Sequence, residues 1–171
     1  MRQFPQKNKT PKAARGLSPM DVALKFLSPR ARSVREVERH LDAQQYGEFE
    51  VQQVVDRLLE LGYLNDEAFA AEFIRTRLNT KPISRNHLRE QLRVHELPEE
   101  IIATAIASIS NETERENARM VAQKFNNQLA DYEEEERRRR LYRRLQGRGY
   151  AHDDIRFAVD AAFCEVADDD T

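Results

Sequence analysis

The sequence is poor in the residues from which most catalytic and metal sites are built. Its single cysteine excludes an internal disulfide framework and a thiolate cluster, and is typical of a protein in a reducing compartment. The four histidines (His40, His87, His95 and His152) lack the spacing of metal ligands, and the five glycines form no phosphate-binding loop. We therefore predict a protein that is not an enzyme and that uses no cofactor or metal ion.

Long apolar runs are also missing. No run approaches the roughly 18 apolar residues that a membrane span requires. The basic N-terminal segment lacks the apolar stretch of a secretory signal. These absences predict a cytoplasmic protein without a membrane partner.

Charge is abundant but unevenly distributed. Charged residues make up 34% of the chain, against about 25% in typical globular domains, yet the net charge is only −2. That balance implies no bulk attraction to nucleic acid. Residues 1–17 carry five basic side chains, no acid and two prolines, which predicts a disordered basic tail. Residues 166–171 form an acidic tail.

The sequence contains one pattern three times. The reference positions are Leu41, Leu92 and Leu145, which lie 51 and 53 residues apart. An apolar residue stands four positions before each of them, and apolar or aromatic residues stand five, ten and fourteen positions after. Such repetition is typical of stacked modules whose long surfaces bind another macromolecule. We predict repeats at 18–64, 65–110 and 111–165 and a binding function.

Helical periodicity dominates the sequence and predicts an all-α fold. Helix starts are indicated at Ser18, which precedes Pro19, and at Ser33, which forms a capping box with Glu36. Gly62 has the position of a left-handed helix stop. Each repeat is predicted to be a bundle of three short helices. We place the nine helices near 20–28, 33–44, 48–61, 66–79, 84–94, 98–109, 112–127, 132–146 and 152–166.

Half of the arginines fall on the second helix of a repeat. In the middle repeat Arg85, Arg89 and Arg93 form a stripe that drifts by only about 40° per step. A solvated helix face, a phosphate contact and a contact with an acidic protein groove all fit such a stripe. We take twelve basic residues as candidate contacts for a partner: Arg35, Arg39, Arg75, Arg77, Lys81, Arg85, Arg89, Arg93, Arg139, Arg143, Arg144 and Arg148.

The segment 133–140 consists of four glutamates followed by four arginines. Each glutamate stands four residues before an arginine, and such pairs support a helix by about 0.2–0.5 kcal/mol each. The block is therefore explained as helix support. Arg143, Arg144 and Arg148 continue beyond it without matching acids, which favours them as partner contacts.

The aromatic residues mostly follow the apolar period, so we expect them in the core rather than in base stacking. Tyr132 and Tyr142 fall off that period and are expected to be exposed. Cys164, in the last amphipathic turns, is expected to pack rather than to react. The residues expected in the core are Tyr46, Tyr63, Phe69, Phe73, Phe125, Tyr150, Phe157 and Phe163.

Two segments carry a resemblance to a known family. Residues 61–70 read LGYLNDEAFA, which resembles the hallmark G-Y-[IL]-[DN]-[DE]-x-x-[FY]-A of the RecX regulators of bacterial recombination. Residues 144–150, followed by Asp154 and Ile155, are similar to the family's L-x-x-[RK]-G-[FY]…I element, and 83–92 matches its middle-repeat helix. The resemblance covers residues 20–163. It departs from the family at 80–83, where Thr-Lys-Pro-Ile replaces a glycine-rich turn.

The resemblance implies three tandem three-helix repeats in an elongated, curved chain that acts as a monomer. It implies binding to RecA and to the groove of its filament on single-stranded DNA. It further implies non-catalytic inhibition of the recombinase, ATPase and coprotease activities.

Two other functions fit the residues. One is a helical DNA-binding protein whose modules act like helix-turn-helix readers without RecA. The low net charge and the lack of a base-reading set of side chains disfavour it. The other is a helical adaptor for a different acidic protein.

Overall fold

The structure, a computed structural model, describes residues 16–164, and these are helical apart from turns and short connections. Helix bounds agree with the predicted ones to within two residues, and the predicted end of the last helix lies outside the described residues. The basic and acidic tails also lie outside them, except for residues 16 and 17. The helices are α1 Pro19–Leu27, α2 Val34–Ala43, α3 Glu48–Glu60, α4 Asp66–Thr80, α5 Arg85–Val94, α6 Glu99–Ala107, α7 Asn111–Gln128, α8 Glu134–Gln146 and α9 His152–Cys164.

The predicted helix starts and the stop are confirmed by their hydrogen bonds and backbone angles. The Ser18 hydroxyl accepts from the Asp21 backbone N–H at 3.1 Å. Ser33 and Glu36 form the predicted reciprocal capping box. Gly62 has a φ of 72°, the left-handed conformation that ends many helices.

The turn between the second and third helix of each set contains one left-handed residue at the same place. Gln45, Glu96 and Gly149 have φ values of 67°, 57° and 80°. Each stands four positions after its reference leucine, so the threefold pattern extends to the backbone. Only the third of these positions carries the glycine that this conformation favours.

The chain divides into two compact units after Phe69, within α4. In the first unit α1, α2 and α3 pack on one another. Their core contains Val37, Leu41, Val55 and Leu58, all at most 2% exposed. The predicted second-helix and third-helix apolar positions thus form the core of this set.

In the second unit α5 packs on α6, and α7, α8 and α9 pack on one another. Leu88 and Leu92 of α5 and Ile102 of α6 are fully buried. The last three helices enclose a cluster that includes Leu141 and Leu145. The predicted repeat boundaries at 18–64, 65–110 and 111–165 stay predictions.

The prediction for the aromatic residues and the cysteine was partly wrong. Tyr150 is buried, but Tyr63 is 60% and Phe157 48% exposed, because each falls on the outer side of its helix or turn. Tyr132 is exposed as predicted, whereas Tyr142 is half-buried. Cys164 is exposed at the end of α9 rather than packed.

Candidate partner-binding surface

Several of the predicted contact arginines are paired with carboxylates. Arg75 donates two hydrogen bonds to Glu72, and Arg93 donates two to Glu99. These bonds hold the pKa of both glutamates below its usual range. Arg93 also pairs with Glu90 at 2.7 Å, and Arg35 pairs with Glu38 at 2.8 Å. The positive charge expected from the sequence is therefore partly neutralised at Arg35, Arg75 and Arg93.

Arg85 links the start of α5 to the start of α7 and to the turn before it. Its backbone N–H donates to both oxygens of Glu114 on α7, at 3.0 and 3.2 Å. Its guanidinium donates to Asn111 at 2.9 Å and to the carbonyl of Ile109. Burial raises the pKa of Glu114, while the bond from Arg85 opposes that shift. Arg85 is thus tied to the start of α7 rather than presented freely.

The first unit repeats this arrangement. The backbone N–H of Val34, the first residue of α2, donates to Asp66 at the start of α4 at 2.9 Å. Val34 and Arg85 both stand seven positions before their reference leucines. Burial raises the pKa of Asp66 as well. A carboxylate at or near the start of the helix two places further along the chain, α4 for α2 and α7 for α5, therefore completes the N-terminus of both second helices, where negative charge suits the helix dipole.

The remaining candidates have weaker partners. Within residues 16–164, no carboxylate pairs with Lys81, Arg139, Arg144 or Arg148. Arg143 lies 3.8 Å from Glu136. Three candidates remain: Arg89 donates to Asn86, Arg77 lies over the Phe73 ring, and Arg39 is exposed on α2.

An open groove of about 500 Å³ runs between α5 and α6. Arg85 and Arg89 line it from α5. Its apolar wall is formed by Ala103, Ile106 and Ala107 of α6. We name it the α5/α6 groove.

A groove of about 520 Å³ lies between α8 and α9. Arg138, Arg139, Tyr142 and Arg143 line it from one helix, and His152, Arg156, Val159 and Asp160 from the other. The Tyr142 hydroxyl is hydrogen-bonded to His152 Nδ1 at 2.5 Å, and Arg138 pairs with Asp160 at 3.0 Å. We name it the α8/α9 groove.

The two grooves occupy equivalent places in the second and third sets of helices. A shift of 53 residues, the distance between Leu92 and Leu145, carries five positions of one groove onto the other. The shift takes Arg85 to Arg138, Arg89 to Tyr142, Ala103 to Arg156, Ile106 to Val159 and Ala107 to Asp160. Each groove places arginine side chains beside apolar surface, which is Ile106 with its neighbouring alanines in one groove and Val159 with Tyr142 in the other. This combination suits a short acidic segment with an apolar anchor.

Two arginines of this surface were missed by reasoning from the sequence. Arg138 was assigned to helix support, and it does pair with Glu134 at 2.9 Å, but it also lines the α8/α9 groove. Arg156 stands alone on α9 and was not considered. The 53-residue shift identifies both, since it aligns Arg138 with Arg85 and Arg156 with Ala103, which line the other groove.

No group of three or more histidine, cysteine, aspartate or glutamate side chains in the described part of the chain is arranged to hold a metal ion. None of its helices is both long and apolar enough to cross a membrane.

Comparison with known proteins places the chain in one family. Family models described as the first, second and third three-helix domains of RecX match residues 20–58, 65–106 and 112–159 in chain order. The all-α class and its three three-helix domains, predicted from the sequence, are thereby confirmed.

Individual relatives agree with the family models. The chain is 31% identical over 151 residues to the regulatory protein RecX of Pelodictyon phaeoclathratiforme, a match that covers 88% of this chain and 92% of that one. It is 32% identical over 138 residues to the regulatory protein RecX of Bacillus subtilis, with 81% of this chain covered. It spans about half, 52%, of the length of that relative.

A solved structure shares the fold. The crystal structure of RecX from Lactobacillus salivarius superposes with a TM-score of 0.78 at 21% identity, covering 87% of this chain and 94% of that one. The names of the relatives support a regulatory role. The chain belongs to the RecX family.

Proposed function

We propose that this protein regulates a RecA recombinase by binding along the groove of the RecA filament on single-stranded DNA. The observation that supports the proposal is the pair of equivalent arginine-lined grooves, α5/α6 and α8/α9, in successive sets of helices. A binding surface repeated along one chain suits a partner that is itself a repeat of identical subunits. A filament of RecA protomers is such a partner.

Linkage of two grooves in one chain raises the strength of binding. Once one groove holds a protomer, the other meets the next protomer at a high effective concentration, so two weak contacts give avid binding. If this binding is tighter to an inactive filament geometry, it shifts the filament toward that state. Inhibition of ATPase, strand exchange and coprotease activity would follow without any catalytic residue.

The test is a titration of the protein into the single-stranded-DNA-dependent ATPase of RecA from the same organism. We expect inhibition well below one molecule per RecA protomer. Arg89→Glu in one groove and Arg156→Glu in the other should each weaken inhibition about tenfold or more, because charge reversal places like charges at the contact. The double variant should lose inhibition almost entirely.

A matched control is Arg57→Glu, which makes the same change of charge on the exposed face of α3, where Arg57 pairs with Glu60. Its inhibition should equal that of the unmodified protein. Reversal of the whole Arg85–Arg89–Arg93 stripe is a weaker test, because replacement of Arg85 removes the guanidinium hydrogen bonds to Asn111 and to the Ile109 carbonyl and so perturbs folding. Unchanged inhibition by a well-folded double variant would exclude the grooves.

Direct DNA binding without RecA is the alternative function, and a lack of inhibition at saturating protein would favour it. Its signature is an unchanged RecA ATPase together with a DNA affinity that falls steeply with salt in the absence of RecA, since contacts with phosphates release counterions. Retention of a different protein from a nuclease-treated lysate would favour the third function, an adaptor.

A further inference from the structure

A third cavity lies apart from both grooves, on the side of the second unit where α5 begins. It measures about 480 Å³, within the range of small-ligand sites. Its walls come from three segments of the chain: the connection before α5, the middle of α7, and the turn between α8 and α9. We name it the α5/α7 pocket.

The lining of the α5/α7 pocket is cationic. Lys81 contributes from the connection, Lys124 from α7 and Arg148 from the turn, together with His87 of α5. No aspartate or glutamate lines it, and no carboxylate within residues 16–164 pairs with Lys81, Lys124 or Arg148. Three positively charged side chains from three segments therefore line one pocket without a carboxylate to neutralise them, and such an arrangement attracts a polyanion.

Flat and apolar surface lies beside these charges. The guanidinium carbons of Arg144 and Arg148 lie 4.1 and 4.5 Å from the centre of the Phe125 ring. Met120, which is 39% exposed, and Pro82 add apolar lining. A guanidinium held against a ring keeps its plane available, and a nucleobase stacks on such planes and on aromatic rings.

The pocket is built by a close fit between the second and third sets of helices. The Ser84 hydroxyl donates to the Arg148 carbonyl at 2.6 Å, and the Asn86 amide donates to the Gly149 carbonyl at 2.8 Å. These bonds fix the turn that carries Arg148 beside the connection that carries Lys81.

We infer that the α5/α7 pocket binds one nucleotide unit of a single-stranded nucleic acid, with its phosphates on Lys81, Lys124 and Arg148 and its base against the Arg148–Phe125 stack. An acidic peptide would use the cations but leave the flat surface without a partner. A strand uses both, and this combination is typical of proteins that bind single strands without sequence preference. The site is separate from the two grooves, so it adds a strand contact to the proposed contact with RecA.

The inference is tested without RecA, by fluorescence anisotropy of a labelled single-stranded oligothymidylate of about 16 nucleotides. Lys81→Glu and Lys124→Glu, both at exposed side chains, should each weaken binding about tenfold at low salt and lower the salt slope. Lys25→Glu makes the same change of charge on α1, which does not line the pocket, and should bind almost as well as the unmodified protein. Comparison of the pocket variants with Lys25→Glu separates binding in the pocket from the general attraction of the strand to the other basic residues of the chain, including those before residue 16.

Two further probes identify the ligand. A strand of the same length without bases should bind several-fold more weakly, because stacking contributes about 1–3 kcal/mol per base. Polyglutamate at equal charge should compete poorly, and thymidine monophosphate should compete only at far higher concentration than the strand. Effective competition by polyglutamate would overturn the inference in favour of an acidic protein ligand, and by the mononucleotide in favour of a free nucleotide.

Equal binding by the Lys81→Glu, Lys124→Glu and Lys25→Glu variants would also overturn the inference. The same variants in the RecA ATPase assay keep this outcome distinct from a failure of the proposed function. If the two pocket variants lose strand binding and no form of the protein inhibits the RecA ATPase, the result would support the pocket and refute RecA regulation. If inhibition of the RecA ATPase depends on Arg89 and Arg156 and the protein binds no strand, the result would support RecA regulation and refute the pocket.

Discussion

The hydroxyl of Ser84 donates a hydrogen bond to the backbone carbonyl of Arg148, with 2.6 Å between the two oxygens, although the two residues stand 64 positions apart in the chain. The same hydroxyl accepts from the backbone N–H of His87 at 3.1 Å and so caps α5. Ser84 is only 1% exposed. One buried hydroxyl therefore starts a helix of the second set and holds a turn of the third.

Ser84→Ala should lower the free energy of unfolding by about 2 kcal/mol. About half of this is the lost helix cap and half the lost bond to a buried carbonyl. Urea unfolding followed by circular dichroism measures the change. Ser18→Ala is the matched variant, because Ser18 caps α1 at an exposed position, and it should cost about 1 kcal/mol or less. Equal losses in the two variants would contradict a linking role for Ser84.

Gly149→Ala should destabilise the protein more than Gly62→Ala, although both glycines have a left-handed backbone. At Gly62 an added Cβ meets nothing within 4 Å, so only the conformational cost remains, about 1–2 kcal/mol. At Gly149 it would lie 3.1 Å from Asn86 Cβ and 3.2 Å from Ser84 Oγ. Overpacking then adds about 1–3 kcal/mol. Thermal unfolding of the two variants gives the difference, and equal melting temperatures would argue against close packing at this turn.

Tyr150→Phe should leave stability unchanged or raise it by about 1 kcal/mol. The Tyr150 hydroxyl is buried without a hydrogen-bond partner among the described residues, and burial raises its pKa. Removal of an unsatisfied buried hydroxyl relieves its desolvation cost. Tyr46→Phe is the contrast, since the Tyr46 hydroxyl donates to the Leu17 carbonyl at 3.0 Å. That variant should lose about 0.5–1.5 kcal/mol. A clear loss in Tyr150→Phe would mean that the hydroxyl has a partner in solution.

Glu114→Gln should reduce the dependence of stability on pH. Burial raises the pKa of Glu114 above its unfolded value near 4.5, so the folded chain holds the proton more tightly than the unfolded chain. Its contribution is therefore present at low pH and is lost as the pH rises through the folded pKa. The unfolding free energy of the variant, measured in urea from pH 4.5 upward, should fall less with pH than that of the unmodified protein.

The control for this prediction is Glu116→Gln, on the same helix. Its neighbour Arg119 donates two hydrogen bonds to it and lowers its pKa. Glu116 therefore contributes stability that is present above its unfolded pKa and is lost as the pH falls below it. Its loss should change the pH slope in the opposite direction in urea series extended below pH 4.5, by a small amount because the pair is largely exposed. The same sign in both variants would refute the assignment of the raised pKa to Glu114.

Local features of the structure could be predicted from the sequence. Helix starts at Ser18 and Ser33 depend on side chains three residues apart, and the stop at Gly62 depends on one residue, so sequence spacing determines them. The reference leucines are buried because their periodicity is that of a helix face.

Features that join distant segments could not be predicted in this way. Pairing of Arg93 with Glu99 depends on the turn between α5 and α6, and exposure of Phe157 depends on which side of α9 faces its neighbours. The α5/α7 pocket requires Lys81, Lys124 and Arg148 to meet, which no spacing along the chain reveals. The threefold pattern offered one unused signal: Gly149 aligns with Gln45 and Glu96, and a glycine at an aligned turn indicates a left-handed residue at all three.

The hydrogen bond from the backbone N–H of Arg85 to the carboxylate of Glu114 limits how such chains can change in evolution. A chain cut before α7 would leave the N–H of Arg85 and the hydroxyl of Ser84 without their acceptors. A duplicated set of helices would need a matching acid in the helix after it. Gain or loss of one module is therefore coupled to its neighbour's sequence, and lengthening of such a chain requires changes on both sides of each new junction.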